Sequence, residues 1–240
     1  MKKYLIIFDM DETLVSSDCS TLWHKYLVEK DIANEPGFLE KDKALMQAYY
    51  EGNMSLNEYF SFSVEPLAQL SERELTLHIE DFIEEKVLAN VYPQAQALIH
   101  RLNSLGHTTM VISASASFLV EPIARRLGLH EAMGVDLKRS LSGITGEVEG
   151  IASYQMGKVL RLKLWLEHKG PFDKITFFSD SHNDLPLLEY AACAVAVNPD
   201  SKLEHIARES GWNICEWSVA SSLSVSQQHA KSLISMIENS

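Results

Sequence analysis

The chain has 240 residues, 46% hydrophobic and 22% charged, which is enough for a sizeable core and leaves no low-complexity tract. Its formal net charge of −12 argues against nucleic acid as a partner, because phosphate backbones bind basic surfaces. Three cysteines without paired spacing exclude a disulfide framework and point to reduced thiols in a cytoplasmic protein. No signal-like segment or membrane-spanning apolar run is visible, so no membrane partner is expected.

Residues 4–8 (YLIIF) predict a short buried strand that runs straight into Asp9, Asp11 and Glu12. Residues 18–88 then lack strand alternation. Helix-like stretches around Thr21–Lys30, Lys41–Glu51 and Glu72–Lys86 suggest an inserted helical block with fifteen acidic and six basic residues, so most of the net negative charge falls there. That surplus fits a solvated acidic surface, or a segment lining a site for an amine-bearing substrate.

After residue 90 strands and helices alternate, which predicts a parallel sheet with helices on both faces. Ala95, Leu98, Leu102 and Leu105 share one helical face, stopped at Gly106. HTTMVIS (107–113) is a strand. Leu119, Ile123 and Leu127 mark a second helix, stopped at Gly128. Residues 135–150 predict a strand or hairpin turning at Ser142-Gly143. Residues 155–168 predict a helix with Val159, Leu162, Trp165 and Leu166 inward. KITFFSD (174–180) is a strand, and NDLPLLEYA a helix with Pro186 in its first turn. CAVAV (193–197) is the last clear strand, and residues 218–240 form a Ser-rich tail or terminal helix with loose ends.

In an open α/β sheet, ligands bind at the carboxyl ends of the strands. Asp9, Asp11, Ser113, Asp180 and Asp184 follow or end predicted strands, and Lys158 opens the helix before one of them. Four converging carboxylates repel one another and raise their own pKa values unless a cation lies between them. Mg²⁺ takes oxygen ligands from a few carboxylates while keeping waters for a phosphate. Lysine and serine beside it supply positive charge and a hydroxyl donor for a phosphoryl group. One carboxylate can attack phosphorus, and a second can protonate the leaving alkoxide and then activate water.

DMDETL (9–14) resembles the first motif of the haloacid-dehalogenase-like phosphatases, DxDx[TV]. Ser113 in VISAS matches their second motif, Lys158 their third, and SDSHNDLPLLE (179–189) their fourth. The resemblance covers most of the chain in the right order. It implies a Rossmann-like parallel sheet core (1–17 and 89–217) carrying an inserted helical cap (18–88), as in the phosphoserine-phosphatase-like branch. It implies Asp9 as nucleophile and metal ligand, and Asp11 as general acid/base with its carbonyl on Mg²⁺. Thr13 holds the motif loop, and Ser113 and Lys158 grip phosphoryl oxygens. Asp180 is a metal ligand, Asp184 supports the metal shell or Lys158, and Asn183 orients phosphate. Glu12 is expected to face solvent, Met10 to pack, and His182 to be a rim residue.

Asp11 argues for phosphatase over dehalogenase chemistry, since a dehalogenase lacks its counterpart. A phosphomutase or phosphotransferase of the superfamily, and a non-enzymatic binding module on the same fold, are the other readings. A mobile helical lid over the strand ends is expected, to hold water off until the nucleophile has reacted. Asp18 falls where phosphoserine phosphatases place a glutamate that meets the substrate amino group. GNMSLNEYFSFS (52–63) resembles their G-x-M-x-F…R stretch, with Ser63 at the place of the carboxylate-clamping arginine. SDS in place of GDG points to a sister group with histidinol-phosphatase-like members. A small phosphomonoester bearing an amine and no carboxylate, such as histidinol phosphate, is the expected substrate; phosphoserine is the alternative.

Overall fold

A computed structural model of the protein describes residues 2–50, 55–140 and 143–239. The predicted helix end at Glu51, the cap-motif residues Gly52 to Met54 and the predicted turn residue Ser142 lie outside them. The centre is a six-stranded parallel sheet of β1 (Tyr4–Phe8), β2 (Thr108–Ala116), β3 (Glu131–Val135), β6 (Lys174–Ser179), β7 (Cys193–Val197) and β8 (Asn213–Cys215). Its order is β3-β2-β1-β6-β7-β8. All five residues of β1 are buried, as a strand covered on both faces requires. Its register with β6 runs Tyr4↔Lys174 to Phe8↔Phe178, so the chain leaves both strands side by side, at Asp9 and at Asp180.

Among the helices that cover the sheet are α5 (Pro93–Ser104), α6 (Ser117–Leu127), α7 (Met156–Lys169), α8 (Leu185–Tyr190) and α9 (Ser201–Ser210). Ala95, Leu98 and Leu102 of α5, and Leu119, Ile123 and Leu127 of α6, are buried as their spacing predicts. Gly128 ends α6 at φ 81°, the left-handed turn that favours glycine. Pro186 sits in the first turn of α8, where its missing N–H is harmless.

Between β1 and α5 lie α1 (Cys19–Glu29), α2 (Phe38–Tyr50), α3 (Leu56–Val64) and α4 (Glu72–Phe82). Sequence periodicity indicated three of these; α3 is additional, capped by Ser55. Ser71 and Glu74 form a reciprocal capping box that starts α4. Trp23, Tyr26 and Phe82 form an aromatic cluster continuous with the hydrophobic core. The hairpin of β4 (Leu137–Ser140) and β5 (Gly143–Val148) leaves the sheet and packs on α3. A side chain at Gly146 would collide with the Ser61 backbone, so glycine permits this approach.

Three expectations change. β2 does not stop at residue 113 but runs on to Ala116. β3 and β8 are strands that the sequence reading did not resolve. The C-terminal segment is not loose: α10 (Leu223–Asn239) buries Ala230, Leu233, Ile234 and Ile237 and packs along α5. Among the described residues, no helix is long and apolar enough to cross a membrane.

Candidate active site

The loop leaving β1 is tight. Asp9 N–H continues the sheet ladder to the Phe178 carbonyl at 2.8 Å, and the Leu14 and Val15 amides both return to the Met10 carbonyl. Glu12 takes a left-handed φ of 57°, rare for a residue with a Cβ. This turn places Thr13 inward, where its hydroxyl donates to Asp180 Oδ1 at 3.0 Å. Met10 is fully buried packing. Glu12 is exposed at the cavity edge.

Lys158 lies in the first turn of α7 and is 2% exposed. Gly157 lets the preceding loop press against that turn, since a side chain there would strike the Ala152 carbonyl. The Lys158 ammonium donates to Asp9 Oδ1 at 2.7 Å and meets both carboxylate oxygens of Asp184 at 2.7 Å. Burial pulls the Lys158 pKa down, but Asp184 and Asp9 outweigh it and hold it above the usual lysine range. Ser179 also donates to Asp184, at 2.8 Å. Asp184 is therefore turned to Lys158 and Ser179. Of the two roles expected of it, support of the metal shell or of Lys158, its contacts are those of the second.

Ser113 needs a similar correction. It is fully buried, and its hydroxyl donates to Asp11 Oδ2 at 3.0 Å rather than facing the cavity. Because β2 continues, Ser115 projects from the same strand face two residues on and also donates to Asp11, at 2.8 Å. Ser115 is the hydroxyl that lines the cavity. The other oxygen of Asp11 accepts the Cys19 N–H at 2.7 Å. Asp11 is thus oriented by three donors from two elements.

Asp9, Asp11, Asp18, Ser115, Lys158, Asp180, Asn183 and Asp184 line one cavity of about 90 Å³. Met46, Leu56, Tyr59 and Phe60 of α2 and α3 also line it. Asp18 caps α1 through the Thr21 N–H at 2.6 Å. Asn183 Oδ1 faces Gln155 at 3.4 Å. His182 is half-buried and is not among the cavity's lining residues; its Nδ1 meets Asp200 at 2.8 Å, while the Asp200 N–H donates to the Asp180 carbonyl. A groove of about 880 Å³ between α4, α6 and the β4–β5 hairpin holds none of these residues.

Burial, with Asp184 and Asp11 nearby, raises the Asp9 carboxyl to about 8 against the pull of Lys158. Burial and Asp11 raise Asp18 to about 7. Burial, Asp9 and Asp184 raise Asp180 well above the carboxylate range. These groups repel and want a cation. Asp9 gives one oxygen to Lys158 and Asp180 gives one to Thr13, which leaves each a second oxygen for a metal. Among the described residues no group of three or more His, Cys, Asp or Glu side chains is arranged to hold a metal ion. An open set of two hard carboxylates fits Mg²⁺, which keeps water ligands.

The folded state holds protons that the unfolded carboxylates, near 3.8, have released. Stability is therefore lost as pH rises from the unfolded value through the folded ones. Chelated protein should melt at a lower temperature at about pH 8 than at about pH 6. In Asp9→Asn the slope should be shallower. Thermal unfolding across pH tests both; a slope unchanged in Asp9→Asn would remove Asp9 as its source.

A phosphoryl-transfer hydrolase built on a parallel sheet with flanking helices is the class that these strand-end aspartates and the buried lysine define. The chain belongs to the haloacid dehalogenase-like hydrolases, whose family model matches residues 6–189. It is similar to a histidinol-phosphatase of Neisseria meningitidis serogroup C (strain 8013), 33% identical over 217 residues that cover 88% of this chain and 98% of that one. A phosphoserine phosphatase of Mycobacterium tuberculosis (strain ATCC 25618 / H37Rv) is 30% identical over 226 residues, 89% of this chain and 70% of its own. The crystal structure of a protein of unknown function from Bordetella pertussis Tohama I superposes with a TM-score of 0.82 at 30% identity, covering 90% of this chain and 99% of that one. A substrate-bound phosphoserine phosphatase shares the fold, with a TM-score of 0.65 at 22% identity over 90% and 93% of the two chains. The chain is accordingly a phosphatase.

Sequence reasoning missed several polar residues here. Ser115 carried a signal, the i, i+2 spacing from Ser113. Ser20, which pairs with Ser115 at 3.2 Å, carried none. Neither did the fully buried His24, whose Nδ1 meets Asp42 and whose Nε2 meets Ser63, each at 2.7 Å.

Proposed function

We propose that the protein is a Mg²⁺-dependent phosphomonoesterase that works through an aspartyl phosphate on a small amino-alcohol phosphate such as histidinol phosphate. The observation that carries the substrate reading is the charge of the cavity. Lys158 is the only lysine or arginine among the described residues lining it, and that lysine is already engaged by Asp9 and Asp184. A substrate carboxylate would find no cation there, whereas an ammonium would find Asp18. Ser63, in place of an arginine, is spent on His24. The similarity to a histidinol-phosphatase supports the same reading.

Asp9 attacks phosphorus, and the bond from phosphorus to the ester oxygen breaks. Asp11, oriented by Cys19, Ser113 and Ser115, gives its proton to the departing alkoxide. It then takes a proton from the water that attacks the aspartyl phosphate and frees inorganic phosphate with Asp9 restored. Lys158 holds Asp9 in place and offers its charge to a phosphoryl oxygen. Ser115 faces the phosphoryl group, and Asn183 borders it. Asp9, Asp180 and the Asp11 carbonyl would hold Mg²⁺, which when bound neutralises the phosphoryl charge and relieves the carboxylate repulsion.

A cavity of about 90 Å³ suits a phosphoryl group, while whole small-molecule sites run to roughly 300 Å³ or more. The roof of α2 and α3 must therefore move to admit an ester, which makes it a lid.

The test is a panel of phosphoesters at fixed Mg²⁺. Amino-alcohol phosphates should be hydrolysed with the highest kcat/KM, and chelation should abolish turnover, with Mg²⁺ restoring it. Preference for phosphoserine or sugar phosphates would sink the substrate reading. Turnover that survives exhaustive chelation would sink the metal requirement.

A further inference from the structure

Among the described residues, four buried polar side-chain atoms lack a hydrogen-bond partner: Trp23 Nε1, Trp217 Nε1, Thr176 Oγ1 and Tyr59 Oη. Only Tyr59 of these lines the cavity that holds Asp9. It is 5% exposed. A buried hydroxyl left unpaired costs free energy, so a native one calls for an explanation.

The neighbours of this hydroxyl are committed elsewhere. Tyr59 Oη lies near Ser20 and Ser63, yet forms no hydrogen bond of normal geometry with either. Ser20 pairs with Ser115, which in turn donates to Asp11. Ser63 is paired with His24 Nε2, and His24 Nδ1 with the Asp42 carboxylate, each at 2.7 Å. The His24 ring also lies 6.1 Å from the Tyr59 ring and, with Phe60 at 5.6 Å, limits its movement. Asp42, His24 and Ser63 thus link α1, α2 and α3 by hydrogen bonds beside a tyrosine whose polar end stays open. Burial and the Asp18 and Asp42 carboxylates keep its phenol protonated.

We infer that Tyr59 is a specificity-determining residue: its hydroxyl oxygen, beside the Asp18 carboxylate, accepts a hydrogen bond from the substrate's ammonium group. The inference rests on the amino-alcohol reading above and adds to it a second, uncharged acceptor. A hydroxyl and one carboxylate together suit a primary ammonium, which has three donors to place. Trp23, Trp217 and Thr176 carry no such role, because they lie away from the cavity.

The experiment compares histidinol phosphate with the same ester lacking the amine. In Tyr59→Phe the ratio of kcat/KM between the two should fall at least about tenfold, mostly through KM, as expected for loss of one hydrogen bond to a charged group. The melting temperature should stay the same or rise, because the variant removes an unpaired buried hydroxyl. Tyr59→Leu supplies the same comparison if the first variant does not accumulate. A ratio unchanged in these variants overturns the inference, whatever the melting temperature does. A wild type that does not favour the amine overturns the functional reading and this inference with it, so the wild type alone tells the two failures apart.

Discussion

Asp9→Asn should accumulate as folded protein and lose at least roughly a thousandfold in kcat on any phosphoester, the scale seen when a covalent nucleophile is removed. The two effects come from the same geometry. Asp9 lies at the end of a fully buried strand, hydrogen-bonded at 2.7 Å to a buried lysine and facing Asp11 and Asp184. Without a cation its carboxyl is raised to about 8, so near neutral pH the folded protein tolerates the charge badly. An amide of the same shape removes that cost and leaves Lys158 paired with Asp184. The melting temperature of the chelated variant should therefore equal or exceed that of the wild type. An amide is also a poor nucleophile, so the first covalent step fails. Burst kinetics and mass spectrometry separate the causes: the wild type should show a phosphorylated Asp9 on rapid quench, and the variant none. Turnover within tenfold of wild type in purified Asp9→Asn would assign the attack to another group.

The parts of this site that were legible in the sequence share one property. Each is local. An apolar run ending in DMDET forces acids to a strand end, and TFFSD does so again, which is why Asp9 and Asp180 could be paired before their strands were seen to be neighbours. The amphipathic spacing of α5 and α6 was legible for the same reason. What failed was long-range or weakly patterned. β3 contains a glycine and opens on a glutamate, and β8 is three residues long, so neither shows a strand period. In α10, Ala230, Leu233, Ile234 and Ile237 keep helical spacing, but serines dilute the signal. Ser113 is expected to grip a phosphoryl oxygen from its match to the second motif, which carries no information on where the strand ends. With β2 continuing to Ala116, that hydroxyl serves Asp11. His24 joins residues 18 and 39 positions away, a contact no local pattern reports. Ser63, expected at the place of an arginine, pairs with His24, a partner that its sequence neighbourhood does not announce.

Lys158→Met should destabilise the fold by about 3–5 kcal/mol, more than any other single change in the site, and reduce kcat at least about a hundredfold. The lysine bridges two buried carboxylates at 2.7 Å each, and it also lies over the Phe177 ring at 5.8 Å. Methionine fills a similar volume, so packing is largely kept. What is lost is the only cation among the described residues facing Asp9 and Asp184. The buried carboxylates then lose their counter-ion in a site with little water, and leaving Asp184 unpaired costs more than the pair itself is worth. A second change distinguishes this account from simple loss of packing. Lys158→Met combined with Asp184→Asn removes one of the orphaned charges and should recover part of the lost stability, a non-additivity measurable by denaturant unfolding. Saturating Mg²⁺ should recover stability as well, since a cation beside Asp9 replaces part of the missing charge, but it should not recover kcat, because the ammonium that offers its charge to the phosphoryl oxygen is gone. Additive losses in the double variant would mean that Lys158 supports the fold through its alkyl chain, and the charge network at the end of β1 would then carry less of the fold's stability than its distances imply.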